Sequence, residues 1–250
     1  MPQYRLDDQW IMVTGSTRGI GRAIALELAA AGANIIVHGR DPAAAREVAN
    51  AVHENNRHAE ELTLDLALPN APEQLVERAW NLHPLDAWIN NAGVDVLTGA
   101  AANWSFAEKL DDLWQVDVRA AIAASRAVGA RMKDRGQGTI VNVGWDQAEL
   151  GMAGDSGEMF AAVKAAVTAF TRSLAKSLAP QVRVNCIAPG WIRTAWGEAA
   201  PAAWQQRAQA ESLLNRWGPP DDVARAVRYL VSPAASFINA QTLNINGGFA

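Results

Sequence analysis

Tyrosine, cysteine and histidine are scarce in this chain of 250 residues, which holds two, one and four of them. The single cysteine, Cys186, excludes an internal disulfide. Its apolar run, Val182-Arg183-Val184-Asn185-Cys186-Ile187, reads as the setting of a small buried hydrophobe rather than of a nucleophile. A net charge of −4 comes without any basic block, which argues against a nucleic-acid groove. No apolar run reaches membrane-spanning length, and the N-terminus MPQYRLDDQW carries no hydrophobic signal region. The expectation is a soluble cytoplasmic protein with neither a membrane nor a nucleic-acid partner. Internal repeats, low-complexity linkers and a metal-ligating pattern are also lacking. What is abundant is apolar surface: half the residues are hydrophobic, enough for the core of one α/β domain over residues 1–250.

The chain is organised around WIMVTGSTRGIG, Trp10 to Gly21. Ile11-Met12-Val13 reads as a buried strand. It breaks at Thr14-Gly15 and passes through Ser16, Thr17 and Arg18. At Gly19-Ile20-Gly21 it re-emerges as a helix running to Ala29. A strand, a glycine turn and a helix make a phosphate cradle. Gly15 permits the tight turn, Gly19 the approach of a pyrophosphate, and Gly21 the closure of helix on sheet. The helix start offers free N–H groups and a partial positive charge to an anion. The spacing Gly-x-x-x-Gly-x-Gly departs from the commoner Gly-x-Gly-x-x-Gly, so the pattern needs support from the rest of the chain.

That support comes from alternation of strands and helices. Further strands are expected at 34–38, 61–65, 85–90, 139–143, 182–187 and 242–245. Helices are expected from Pro42 to Asn55, Pro72 to Leu82, Phe106 to Arg135, Glu158 to Leu178 and Asp221 to Val231. Asp41-Pro42 fits an N-cap followed by proline at the first helical position. An irregular segment at about 190–220, with tryptophans and prolines, is expected to hold one short helix. Strands separated by helices imply parallel pairing through right-handed crossovers, hence a doubly wound (Rossmann) sheet of about seven strands. Ligands in such sheets bind at the carboxyl ends of the strands, where the glycine turn sits.

The end of the second strand selects the dinucleotide. An acid there would hold the ribose 2′-hydroxyl of NAD, but the residues are His38-Gly39-Arg40. Arg40, with Arg18 from the turn, is suited to clamp a 2′-phosphate by charge-assisted hydrogen bonds. Asp41 is committed to capping the next helix. The expected cofactor is therefore NADP(H).

Taken together, the chain resembles the short-chain dehydrogenase/reductase family, with the nearest likeness to 3-oxoacyl-carrier-protein reductases. The resemblance covers nearly the whole length. It rests on Thr14-Gly15-x-x-x-Gly19-Ile20-Gly21, Asp65, Asn90-Asn91-Ala92-Gly93, Val184-Asn185-x-x-x-Pro189-Gly190-x-x-x-Thr194 and the terminal Asn246-Gly247-Gly248. It implies that Asp65, beside Leu66, holds the adenine and that Asn91, Ala92 and Gly93 line the cofactor cleft. It also implies that Ile192 and Thr194 meet the nicotinamide end and that Pro189 and Gly190 belong to the cofactor site. A homodimer or homotetramer through the two long helices is implied too, as is a substrate lid at about 190–220.

The family's chemistry uses an Asn, a Ser, and a Tyr four residues before a Lys. Tyrosine moves the proton, serine holds the carbonyl oxygen, and lysine lowers the tyrosine pKa and binds the ribose. In this chain Lys164 fits the lysine position. The tyrosine position is Phe160, the serine position Trp145 and the asparagine position Asp117. The only tyrosines, Tyr4 and Tyr229, are at the far ends, so no local shift restores the acid. Asp117 is expected to pair with Lys164. Trp145 either narrows the pocket and stacks on a flat ligand, or is packed as core. Nearby acids are Asp146, Glu149, Asp155 and Glu158. Of these Glu158, at the start of the Lys164 helix, is the strongest candidate for a replacement acid or base, against the alternative of a solvated helix-start carboxylate. Trp191, Trp196 and Trp204, with Trp145, suggest a hydrophobic or aromatic substrate cavity. Two functions remain open. One is an oxidoreductase moving hydride to or from a carbonyl or imine with rebuilt acid–base machinery, for which a cationic iminium needs no acid at all. The other is a dinucleotide-binding pseudoenzyme or assembly subunit. A non-redox lyase or isomerase is a weaker third.

Overall fold

In the computed structural model, which describes residues 2–249 apart from the side chains of Pro2, Trp196 and Ala199, the chain forms one doubly wound α/β unit. Its strands are β1 (Trp10–Val13), β2 (Asn34–Gly39), β3 (Ala59–Thr63), β4 (Ala87–Asn90), β5 (Gly138–Val143), β6 (Val182–Pro189) and β7 (Thr242–Ile245). They lie in the order β3-β2-β1-β4-β5-β6-β7, every pair parallel. The order reverses between β1 and β4, which opens the crevice where such sheets bind ligands.

Alternation along the strands sends side chains to both faces. Ile11 and Val13 join Ile35, Val37 and Ile89 on one face, under α1 (Gly19–Ala30), α2 (Pro42–His53) and α10 (Pro220–Val231). Met12, Ile36, Trp88 and Ile140 face the other side, under α3 (Ala71–Leu82), α5 (Ala121–Arg135) and α7 (Asp155–Leu178). Burial of β2 and β4 throughout, and of β1 from Ile11 onward, explains their near-continuous apolar runs. The expected Asp41 cap is present, its carboxylate accepting the Ala43 N–H at 2.9 Å.

Four expectations need correction. Strand β3 begins and ends two residues earlier than the apolar pattern suggested. The parallel register Ile35↔Ala59 to Gly39↔Thr63 fixes it, and its half-exposed side chains give no clear alternation. Asp65 therefore lies past the strand, over the crevice. The long helix expected over 106–135 is α4 (Phe106–Leu113), a π-helical turn (Trp114–Ala120) and then α5. The wider turn lets three successive residues, Val116, Asp117 and Val118, all be buried. Helix α7 starts at Asp155, one turn before Glu158. Finally, a short α6 (Gln147–Leu150) follows β5, and the 190–220 segment holds two helices, α8 (Ala195–Ala199) and α9 (Ala202–Glu211). No helix among the described residues is long and apolar enough to cross a membrane.

Candidate functional site

The crevice is a cleft of about 710 Å³ at the carboxyl ends of β1, β2 and β4. Gly15 turns the chain out of β1 at φ +63°, and a Cβ there would stand 2.8 Å from Ala92 Cα. Only glycine fits both constraints. The turn is laced to its neighbours. Thr14 Oγ1 accepts the N–H groups of Asn91 and Ala92, each at 3.0 Å, and Asn91 Nδ2 donates back to the carbonyls of Thr14 and Gly15. No side chain caps α1, so the N–H groups of its first turn are left for a ligand.

His38 is the strut of this corner. Its Nδ1 accepts the Gly15 N–H at 3.1 Å and its Nε2 lies 3.1 Å from the Leu64 carbonyl. A donor on one side and an acceptor on the other select the neutral Nε2–H tautomer. Burial lowers the pKa to about 4, against the opposing pull of the Leu64 hydrogen bond and the Asp65 charge. The ring is 2% exposed, yet it borders the cleft. Nothing in the sequence marked His38 beyond its place where an acid was sought.

Of the sequence-derived cofactor residues, the cleft is lined by Gly15, Thr17, Arg18, Gly19, Ile20, Gly21, Arg40, Asp65, Leu66, Asn91, Ala92, Gly93 and Thr194. Arg18 and Arg40 are exposed there, and neither has an ion-pair partner among the described residues. Asp65 has one oxygen occupied by the Ala67 N–H. Ser16, Pro189, Gly190, Ile192 and Lys164 do not border the cleft. Ser16 is fully buried, its hydroxyl accepting the His38 N–H. Pro189 ends β6, and Ile192 bridges to Gly218.

Beyond Asn91–Gly93, the π turn and α7 bring Asp117 and Lys164 together. Lys164 Nζ lies 2.8 Å from Asp117 Oδ2, the two side chains being 14% and 3% exposed. Asp117 Oδ1 accepts the Val94 N–H at 3.0 Å. Lys164 also donates to the Val143 carbonyl at 3.4 Å. A Cβ on Gly93 would stand 2.8 Å from the Asp117 carboxylate, so a close backbone approach is part of the pair's enclosure. Phe160, one turn before Lys164, lines the cleft, and Trp145 stands edge-on to it with ring centroids 6.3 Å apart at 69°.

The other acids separate clearly. Glu158 is exposed in the first turn of α7 and does not border the cleft, which corrects its expected role: its position suits the helix N-terminus, not an apolar pocket. Asp155 is exposed too, and Glu149 pairs with Arg172 at 2.9 Å. Asp146 is the buried one. Burial raises its pKa, Asn246 donates to its Oδ2 at 3.1 Å, and its Oδ1 has no partner among the described residues. It packs against Gly190 rather than on the cleft. In the cleft itself, burial would raise the Asp95 pKa, but hydrogen bonds from Thr98 and the N–H groups of Leu97 and Thr98 bring it below the usual carboxylate range.

The expected tryptophan-lined cavity is instead a packed cluster. Trp191 lies 5.5 Å from Trp204 and 5.7 Å from Trp217, ring centre to ring centre. Arg207 covers both Trp191 and Trp204, and Glu211 receives Arg207 at 2.7 Å and Trp191 Nε1 at 2.8 Å. The Trp196 side chain lies outside the described residues. Cys186 is buried, as its run suggested, and burial pushes its thiol pKa up.

A family profile described as Enoyl-(Acyl carrier protein) reductase matches residues 15–250. The chain belongs to the short-chain dehydrogenase/reductase family. This short-chain dehydrogenase/reductase is 32% identical to the 3-oxoacyl-[acyl-carrier-protein] reductase of Aquifex aeolicus, over 98% of this chain and 99% of that one. Among solved structures, a short-chain dehydrogenase from Burkholderia cenocepacia in complex with NADP is similar at TM-score 0.87 and 33% identity, covering 98% of each chain. A 3-oxoacyl-(acyl-carrier-protein) reductase from Agrobacterium tumefaciens with NADP bound is similar at TM-score 0.89 and 29% identity, covering 98% of this chain and 96% of that one.

Proposed function

We propose that this short-chain dehydrogenase/reductase is an NADP(H)-dependent oxidoreductase that moves hydride to or from a carbonyl or imine of a hydrophobic or aromatic small molecule, without the tyrosine and serine its family uses. The observation that carries the reading is the cleft. A glycine turn that tolerates no Cβ at Gly15, an uncapped α1 and two arginines with no ion-pair partner among the described residues converge on one surface. Relatives that bind NADP support it. The fit to NADP(H) is good: the first turn of α1 suits a pyrophosphate, and Arg18 and Arg40 suit a 2′-phosphate. Asp65 suits the adenine and Asn91–Gly93 the cleft wall, with Thr194 toward the nicotinamide. When bound, the nicotinamide supplies the hydride or accepts it.

The chain's own residues then do three things. The Asp117–Lys164 pair, at the family's asparagine and lysine positions, is a fixed, charge-neutral floor buried beneath the Gly93–Val94 wall of the cleft. Phe160 and Trp145, at the tyrosine and serine positions, give an apolar wall that excludes water and orients a flat molecule. The 190–220 segment acts as a prepacked cover over the substrate side. A homo-oligomer through the long helices belongs to the same reading.

A second reading has a specific observation behind it. Phe160 has no exchangeable proton, and the only tyrosines, Tyr4 and Tyr229, pack on each other at 6.3 Å, remote in sequence from Phe160. A chain that binds NADP(H) without turnover would have this site. Titration with NADPH and with NADH, read by energy transfer from tryptophan, tests the cofactor assignment. NADPH is expected to bind more tightly, and Arg40→Ser to weaken NADPH about 10–100-fold, the loss of one charge-assisted contact, while leaving NADH unchanged. Equal loss for both cofactors would refute the 2′-phosphate clamp. Transfer of deuterium from labelled NADPH to any product would eliminate the inactive reading.

A further inference from the structure

We infer that the electrophile this site takes is a cation, a planar iminium, and that Asp117 is the residue that makes a cation acceptable. The inference rests on the oxidoreductase reading above and names its substrate class.

Two observations point the same way. The first is the missing proton. Hydride added to a ketone leaves an alkoxide, which must be protonated as it forms. Among the cleft's ionisable groups, Asp95 is held ionised by three hydrogen bonds. Asp41 caps α2 and Asp65 accepts the Ala67 N–H. His38 is neutral, with its one N–H spent on Leu64. Lys164 carries protons, but releasing one would strand the Asp117 carboxylate, 3% exposed, without its cation. Burial raises the pKa of two acids, Asp146 and Asp112, and neither lines the cleft, Asp146 packing behind Gly190. Hydride addition to an iminium carbon needs none of these. The hydride brings its electron pair to carbon, the C=N π pair becomes the nitrogen lone pair, and the product is a neutral tertiary amine. The nicotinamide is the reductant, and no proton enters the balance.

The second observation is the charge of the floor. A lone lysine would repel a cationic substrate. Here Asp117 Oδ2 at 2.8 Å cancels it, inside an enclosure closed by the Val94 N–H and Gly93. Above this neutral pair the wall is Phe160, braced edge-on by Trp145, and ring faces attract cations. The tyrosine-to-phenylalanine and asparagine-to-aspartate differences thus act in concert: one removes the acid, the other removes the repulsion.

The test compares two probes of one bicyclic shape, N-methyl-3,4-dihydroisoquinolinium and 1-tetralone. Binding is measured by calorimetry to the protein saturated with 1,4,5,6-tetrahydro-NADP, whose neutral ring has no hydride to give, and label transfer from deuterated NADPH is followed separately. The iminium is expected to bind about tenfold or more tighter than the ketone, the scale of a desolvated cation–ring contact. It should also take up deuterium at a rate independent of pH between about 6 and 9, because no protein acid titrates in the step. Asp117→Asn should weaken the iminium about tenfold and leave the ketone unchanged, a split that general destabilisation would not produce. Reduction of the ketone but not the iminium overturns the inference and leaves the oxidoreductase reading intact. NADPH binding with reduction of neither probe overturns the inference in favour of the inactive reading. Failure to bind NADPH overturns both.

Discussion

Removing the Asp117 carboxylate is the sharpest perturbation this structure offers. Asp117→Ala leaves the Lys164 ammonium, 14% exposed, facing an emptied pocket instead of an anion at 2.8 Å. Breaking one side of a buried pair costs about 3–5 kcal/mol, because the remaining charge stays desolvated. The Val94 N–H loses its acceptor as well, which places the total at the upper end, about 4–5 kcal/mol. For a chain of this size that is roughly 8–20 °C in Tm. Asp117→Asn leaves one acceptor oxygen for two donors, so either Val94 or Lys164 loses its partner to the amide NH2 group, and it should lose about 2–3 kcal/mol, the worth of a charge-assisted hydrogen bond. The double variant Asp117→Leu/Lys164→Met removes both charges and should recover most of the alanine variant's loss. Urea unfolding followed by tryptophan fluorescence measures all three. An alanine variant within about 1 kcal/mol of the parent, or a double variant no better than the single, would show that the pair is solvated and carries no such energy.

Two further perturbations test the corner around the glycine turn. The His38 ring should remain neutral in the folded protein down to a pKa of about 4, whereas the unfolded chain protonates near 6.5. Unfolding therefore takes up a proton in between, and about 3 kcal/mol of stability, complete above pH 6.5, should disappear as pH falls through 4. An NMR midpoint of the His38 ring near 6.5 would contradict this. Gly15→Ala meets both φ +63° and the 2.8 Å approach to Ala92. It should cost about 1–3 kcal/mol and abolish nucleotide binding, with thermal unfolding and NADPH titration as the checks. Normal binding by this variant would mean the turn is not the cradle.

Much of this was legible in residues 10–21, because a buried strand, glycines at a turn and a helix start are each written locally. The Asp41 cap and the Asp117–Lys164 pair were also anticipated, the second only because a resemblance placed two distant residues side by side. What escaped was set by partners far along the chain. His38 matters through Gly15 and Leu64, which lie 23 and 26 residues away, and no local pattern marks that. The β3 bounds follow the register of β2, not the run ELTLD. Glu158 and Asp146 are both acids flanking the altered positions in the sequence, yet one is exposed and the other buried against Gly190 and Asn246. The tryptophans read as a cavity lining because composition cannot tell an aromatic wall from aromatic rings packed on one another.

The π turn gives the rod from Phe106 to Arg135 two phases. Before it, Leu110 and Leu113 face the small apolar cluster of Val96, Val118, Met159 and Val163. After it, Ala124, Val128 and Met132 face the sheet, and Ser125 joins the buried amides Asn90 and Asn142 at 2.7 and 3.4 Å. An uninterrupted α-helix advances about 100° per residue, so removing a single residue from the turn would swing one half by that angle against the other. The rod would then have to give up either the ammonium of Lys164 or the amides behind the sheet. The turn works as a keyed coupling: it lets the site side and the core side of one helix be fitted separately, at the cost of tolerating no change in length between them.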